Sequence, residues 1–110
     1  MRMWMVDPRA MCRSHLLGEH NEIHMFVGAI RLKRRLDRFF ENNCLEVGAI
    51  KKRHRALVQE MRRRGYRHQS PLPDYSAAYL GKQQAIRVDV QDAKLELMRR
   101  CPNCVSNGLT

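Results

Sequence analysis

The chain has 110 residues, of which 21 are Lys or Arg and 11 are Asp or Glu, so its formal net charge is +10 at pH 7. A chain of this length supports one modest hydrophobic core, and we expect a single domain over residues 1–110. The charge favours a polyanionic partner, nucleic acid first. The sequence has no apolar run near the ~20 residues that a membrane span needs, and we expect neither a membrane partner nor a signal peptide.

The N-terminal segment from Met1 to Asp7 is short and apolar, which predicts an extended stretch packed on the core. Trp4 is predicted to be a core side chain rather than a stacking platform for a base. Asp7-Pro8 predicts the start of a helical turn, because Pro is tolerated at the first helical position. A long helix is then predicted from about Ser14 to Ile30.

This first helix carries two stripes when its residues are placed 100° apart. One stripe contains His15, Glu19, Glu22 and Phe26, and the other contains Leu16, Ile23, Val27 and Ile30. The apolar stripe can pack while the other carries chemistry. Glu22 is the better acid–base candidate because it lies mid-helix on a rigid element, whereas Glu19 is expected to be more solvated. Ordinary surface charge on an amphipathic helix is the alternative.

A basic segment from Arg31 to Arg38 follows, and its charges are expected to face solvent or phosphate. A second long helix is predicted from roughly Glu46 to Arg64, with Gly65 as its stop signal. His54 lies in the apolar stripe of this helix and is predicted to be a hydrogen-bonded core residue. The other faces of the helix carry cations, namely Lys51, Lys52, Arg53, Arg55, Arg62, Arg63 and Arg64.

Two prolines make a rigid connector before a short helix that is predicted over residues 75–80 and separated from the last helix by Gly81. The closing helix is predicted to begin near Asp89, because the carboxylates of Asp89 and Asp92 favour a helix N-terminus, and to end at Arg100. These elements predict a compact all-α fold of three main helices, with the extended N-terminal segment packed on the core.

Four cysteines in a chain expected to remain inside the cell predict free thiols or metal ligands rather than disulfides. Cys101-Pro102-Asn103-Cys104 has the spacing of a zinc knuckle or a redox pair, and Cys12-Arg13-Ser14-His15 supplies a C-x-x-H half. Cys12, His15, Cys101 and Cys104 are thus a candidate zinc site. Such a site requires the two ends of the chain to meet and would engage His15, and the main prediction is a protein without a cofactor.

Three stretches of the chain carry motifs that occur together in one family. They are His15 to Ile23 with Val27 to Ile30, of the form H-L-x-x-E-x-x-E; Lys52 to Tyr66, with its basic Arg-Gly-aromatic end; and, more weakly, Ala93 to Pro102. In this order they resemble the pyrimidine-dimer DNA glycosylases with AP-lyase activity, the endonuclease V type first known from phage. The resemblance spans most of the chain.

The resemblance implies that the nucleophile is the α-amine of Met1 and that Glu22 is the acid–base residue. Met1 is expected to be retained, because Arg2 is too bulky for the usual removal of the initiator. An α-amine titrates near pH 8 and a lysine near pH 10, so the α-amine has the larger neutral fraction at pH 7. The amine would attack C1′ of a nucleotide flipped from bent DNA and form a Schiff base, with β-elimination following.

Several further residues are implied to contact DNA. Arg2 would hold a phosphate, His15 would position DNA or a proton relay, and Arg53 with Arg62, Arg63 and Arg64 would add salt-sensitive affinity. Asn21 is also a candidate DNA contact, although Asn21 and Met25 stand where the phage members carry arginines. The family's aromatic C-terminal tail is replaced here by the Cys101–Cys104 pair.

We therefore predict a DNA repair glycosylase with AP-lyase activity. Its substrate would be double-stranded DNA that contains a damaged pyrimidine, such as a UV cyclobutane dimer, or an abasic site. We expect a monomer that acts on intracellular DNA, cytoplasmic and nucleoid-associated or viral. The alternative is a non-enzymatic DNA-binding module stabilised by zinc. An RNA-binding or membrane-surface protein is less favoured, because the chain lacks interleaved aromatics and a basic amphipathic segment with an aromatic apolar face.

Overall fold

The computed structural model describes residues 1–68 and 70–110 as a helical protein, and this part of the chain forms no strand. Its helices are α1 (Arg13–Arg31), α2 (Asp37–Glu41), α3 (Ile50–Arg63), α4 (Val90–Arg100) and α5 (Pro102–Ser106), with 3₁₀ turns at Pro8–Ala10, Val47–Ala49 and Ala78–Ala85. Three of these helices exceed ten residues, which confirms the all-α prediction. No helix within the described residues is long and apolar enough to cross a membrane.

Helices α1 and α3 pack against each other and form the centre of the core. The apolar stripe of α1 is fully buried, with Leu16, Ile23, Val27 and Ile30 all at 0% exposure. On α3, Ile50 and Leu57 face it and are equally buried. The two helices therefore bury their stripes against each other as their periodicity predicts.

The N-terminal segment lies extended on this core, as predicted. Met3, Trp4 and Val6 are buried, and the backbone N–H of Met3 donates a 2.7 Å hydrogen bond to the carbonyl of Cys44. The next turn begins after Asp7, whose carboxylate accepts a 3.0 Å hydrogen bond from the backbone N–H of Arg9. The first residues of the chain consequently have a fixed position.

The second long helix begins later than predicted, since residues Val47–Ala49 form a 3₁₀ turn and the α-helix starts at Ile50. Its end is as predicted. Gly65 adopts a φ of +85°, and the backbone N–H of Tyr66 donates to the carbonyl of Met61 at 2.9 Å. Gly tolerates this left-handed conformation without a Cβ penalty, so it ends the helix with its carbonyls satisfied.

The helix predicted over residues 75–80 is wrong. Helical turns begin only at Ala78, and they are two 3₁₀ pieces on either side of Gly81, within Ala78–Ala85. Gly81 does interrupt them, with a φ of +56°. The closing helix is confirmed, because the Asp89 carboxylate caps α4 by accepting a 3.1 Å hydrogen bond from the backbone N–H of Asp92.

Candidate active site

A cavity of about 450 Å³ lies where the N-terminal segment, α1 and the end of α4 meet. Its walls combine charged, sulfur-containing and aromatic side chains from distant parts of the chain. The lining residues are Met1, Arg2, Trp4, Ser14, His15, Gly18, Glu19, Glu22, Cys44 and Arg100. The cavity therefore brings an amine, two carboxylates and two arginines together around one space.

Met1 and Glu22 face each other across this cavity. The α-amino nitrogen of Met1 lies 3.9 Å from Glu22 Oε1, and both side chains are partly exposed, at 20% and 30%. Glu22 projects from the middle of α1, so its backbone is rigid. Met1 is held through Met3, two residues further along the chain, whose backbone N–H donates a hydrogen bond to the carbonyl of Cys44. The two groups are thus held together by structured backbone on both sides.

Trp4 forms a platform beside the amine. The guanidinium of Arg2 lies over its ring at 3.9 Å from the centroid, and that of Arg100 lies at 5.8 Å. The ring of His15 meets Trp4 edge-on at 5.9 Å between centroids. Trp4 is buried, which confirms it as a core residue, and it also orients cations at the cavity. Arg100 was not predicted here, because 77 intervening residues separate it from Glu22 and only the fold brings them together.

Glu19 is not solvated, and this expectation is wrong. It is 1% exposed, and it accepts two hydrogen bonds from Arg53, at 2.6 Å from Nε and 2.8 Å from Nη2. Arg53, predicted to contact DNA, is only 6% exposed and also donates to the carbonyl of Val6 at 2.7 Å. Its guanidinium is committed to the core, because a buried carboxylate requires a paired cation. The prediction of a phosphate contact by Arg53 is therefore wrong.

The three arginines at the end of α3 differ in their surroundings. Arg62 and Arg63 are exposed, whereas Arg64 is half-buried and donates to the carbonyl of Met11 at 2.6 Å. Arg63 and Arg64 both bond Glu60, and these hydrogen bonds, that of Arg63 first, lower the pKa of Glu60 to about 2. Arg64 thus holds the Pro8 turn against α3, which does not support its predicted role as a DNA contact.

Asn21 and Met25 are both exposed on α1. Met25 lies three residues after Glu22 and on the same side of the helix, whereas Asn21, one residue before Glu22, lies about 100° around the helix axis. Neither carries a charge. The arginines that line the cavity itself are instead Arg2 and Arg100.

The candidate zinc ligands do come together. His15 Nδ1 lies 3.2 Å from Cys12 Sγ and 3.7 Å from Cys104 Sγ, and the sulfurs of Cys12 and Cys101 are 3.8 Å apart. A second group, of four histidines, was not predicted as a cluster. It consists of His20, His24, His54 and His68, from α1, α3 and the connector that follows. His54 is buried as predicted, but its Nε2 has no hydrogen-bond partner within the described residues and its neighbours are other imidazoles.

A basic all-α fold that presents an amine beside a carboxylate has the features of a protein that acts on DNA bases. The family model described as pyrimidine dimer DNA glycosylase matches residues 1–74, and the chain belongs to this family. Its substrate class is accordingly DNA that contains pyrimidine dimers. Comparison with curated proteins and with solved structures found no match. The family match includes Met1, Glu22, Glu19 and Arg53, and it ends before Arg100.

Proposed function

We propose that this glycosylase is also an AP lyase, with the α-amine of Met1 as nucleophile and Glu22 as the acid–base residue. The observation that carries the proposal is the 3.9 Å separation of Met1 N and Glu22 Oε1 in a cavity bordered by two arginines. A nucleophile beside a base on a rigid element is the arrangement that covalent catalysis requires. One copy supplies both groups, so the proposed active form is a monomer.

The first stage is removal of the base. The lone pair of the neutral amine attacks C1′ of the damaged nucleotide, and the C1′–N bond breaks with its electron pair leaving on the base, which takes up a proton. Glu22 accepts the proton that the amine loses and, as a carboxylate, stabilises the positive charge that develops on the sugar. The proton held by Glu22 then passes to O4′ as the C1′–O4′ bond opens, which leaves a protonated imine between C1′ and Met1 and returns Glu22 to its carboxylate form.

The second stage is cleavage of the strand. Glu22 takes a proton from C2′, the electron pair forms a C2′–C3′ double bond, and the C3′–O bond breaks to release the downstream strand with the phosphate at its 5′ end. Water then adds to the imine carbon, the C1′–N bond breaks, and the cleaved sugar leaves as an unsaturated aldehyde while the free amine of Met1 is restored. Arg2 and Arg100, both at the cavity, supply positive charge for the phosphates on either side of the flipped nucleotide.

Two changes test these roles on duplexes that carry a cyclobutane thymine dimer or an abasic site. Glu22→Gln removes the carboxylate, and one added residue before Met1 moves the amine by about 3.6 Å. Each change is expected to reduce strand cleavage at least ~10²-fold while DNA affinity stays within severalfold. Glu41→Gln, an exposed glutamate at the end of α2, is the matched control and should cleave normally.

The outcomes separate the candidate functions. Cleavage of the abasic duplex alone would reduce the activity to that of a lyase. Full cleavage by the Glu22→Gln and extended proteins would exclude the proposed chemistry. If the unaltered chain binds both duplexes and cleaves neither, the protein is a DNA-binding module.

A further inference from the structure

The cluster of Cys12, His15, Cys101 and Cys104 brings four ligand atoms within 4.8 Å of one another. A tetrahedral zinc ion with Zn–S bonds of about 2.3 Å places its sulfur ligands about 3.8 Å apart. The Cys12 and Cys101 sulfurs are 3.8 Å apart, and the Cys104 sulfur is 3.7 Å from His15 Nδ1. A disulfide would require sulfurs about 2 Å apart. The spacing fits metal ligands rather than a crosslink.

Local backbone supports the same interpretation. Each ligand pair has two intervening residues and lies at the start of a helix, Cys12 and His15 at α1 and Cys101 and Cys104 at α5. The backbone N–H of Cys12 donates to Cys104 Sγ at 3.3 Å, so this sulfur has a backbone donor of the kind that orients a metal ligand. All three cysteines are buried, so solvent has little access to a fifth position.

We infer that Cys12, His15, Cys101 and Cys104 bind one structural zinc ion that joins the two ends of the chain. Four protein ligands close the coordination sphere, so the ion would be structural rather than catalytic. The site lies against the proposed catalytic cavity, because the His15 ring contacts Trp4 and Arg100 directly precedes Cys101. Zinc would therefore hold Arg100 and the Trp4 platform in place.

The test uses the full-length, tagless chain. We expect at least one zinc per chain to survive dialysis, and we expect Co²⁺ in the cysteine site to give tetrahedral visible bands with thiolate-to-metal charge transfer. In the zinc-loaded protein only Cys44, the one cysteine outside the cluster, should react rapidly with a thiol reagent. A strong chelator should make all four cysteines reactive and lower the unfolding temperature.

Cys104→Ser should lose the cobalt charge-transfer bands of the intact site. Cys44→Ser should retain its zinc, and the visible spectrum of its cobalt form should be unchanged. Should Cys104→Ser not fold, the thiol counts of the unaltered chain decide the question. No retained zinc, a cobalt spectrum without thiolate bands, or a purified chain whose mass shows a disulfide would each overturn the inference. None of these readouts depends on DNA cleavage, so the zinc site and the proposed activity fail separately.

A different group of residues carries a second site. The side chains of His20, His24, His54 and His68 place one ring nitrogen each within 4.8 Å of the others. His20 Nε2 and His68 Nε2 are 3.0 Å apart. Within the described residues, the buried Nε2 atoms of His24 and His54 have no hydrogen-bond partner.

The geometry points to a second divalent transition-metal ion, held by these four imidazoles. Imidazole nitrogens suit zinc, copper and nickel, and a cation held by the four converging rings would give the unpartnered Nε2 atoms of His24 and His54 a ligand role. The ion would tie the connector that carries His68 to both long helices. This site contains no sulfur, so its Co²⁺ complex would lack the thiolate bands of the first.

Metal stoichiometry tests this second site. After equilibration with excess Zn²⁺ and gel filtration, native mass spectrometry should find two zinc ions on the unaltered chain and one on His24→Gln/His68→Gln. Arg67→Gln, an exposed neighbour of His68, should keep two. A single zinc on the unaltered chain, or two on the double variant, would contradict the four-histidine site.

Discussion

Glu19 and Arg53 form a two-point ion pair in the core, with bonds of 2.6 and 2.8 Å between the guanidinium and the carboxylate. The third arm of Arg53 bonds the carbonyl of Val6 at 2.7 Å. The pair therefore joins α1, α3 and the N-terminal segment at one point. Since Glu19 also lines the cavity, this pair supports the backbone that carries both proposed catalytic groups.

Breaking this pair should destabilise the protein strongly. Arg53→Met leaves Glu19 buried without a cation, and we expect the free energy of unfolding to fall by about 3–5 kcal/mol in urea titrations. The Glu19→Leu/Arg53→Met double variant removes both charges and should lose less than Arg53→Met alone. A loss below about 1 kcal/mol for Arg53→Met would show that the pair is solvated in solution.

Arg100 should contribute to DNA affinity, although it lies outside the range of the family match. Arg100→Gln is expected to weaken binding severalfold and to reduce the slope of log K against log salt by about 0.9, the value for one phosphate contact. Arg99→Gln is the matched control, because Arg99 pairs with the same Glu96 but does not line the cavity. Equal effects of the two changes would place DNA elsewhere.

The stability of the fold should depend on Glu60 in a defined pH range. Its pKa is about 2 in the folded protein and near 4.3 in an unfolded chain. The ion pair therefore stabilises the fold above about pH 4.5, and this contribution is lost as the pH falls towards 2. Glu60→Gln should cost about 1–3 kcal/mol at pH 7, and the difference from the unaltered chain should vanish near pH 2.

Glu96→Gln is the control for this prediction. Arg99 and Arg100 also lower the pKa of Glu96 to about 2, but this ion pair lies at the surface, where solvent screens it. We expect a much smaller pH-dependent change in unfolding free energy. A Glu60→Gln difference that persists unchanged at pH 2 would mean that its effect is packing rather than charge.

The periodic features of the fold were predictable from the sequence because they follow from local rules. The apolar stripe of α1, the Asp89 cap and the Gly65 stop depend on residues a few positions apart. The role of Arg53 did not follow, because its partner Glu19 lies on another helix. From the sequence alone, a charged residue on the polar face of an amphipathic helix is predicted to be exposed, because an oppositely charged partner on another helix is not visible in the local pattern.

The residues of the candidate site were also predictable only where a local motif contains them. Met1, Glu22 and the metal-ligand candidates came from motifs, since each motif is local. Arg100 and the four-histidine cluster depend on contacts between distant segments, and His68 follows α3 in a connector without periodicity. Side chains of this kind are placed only by tertiary packing.

The most direct test of the proposed chemistry is borohydride trapping of the tagless protein on a duplex that contains an abasic site, followed by peptide mass mapping. Reduction of the imine should leave a stable adduct on the α-amine of Met1, and a cyclobutane dimer duplex should give the same adduct. An adduct on a lysine side chain, or none on either duplex, would contradict Met1 as the nucleophile.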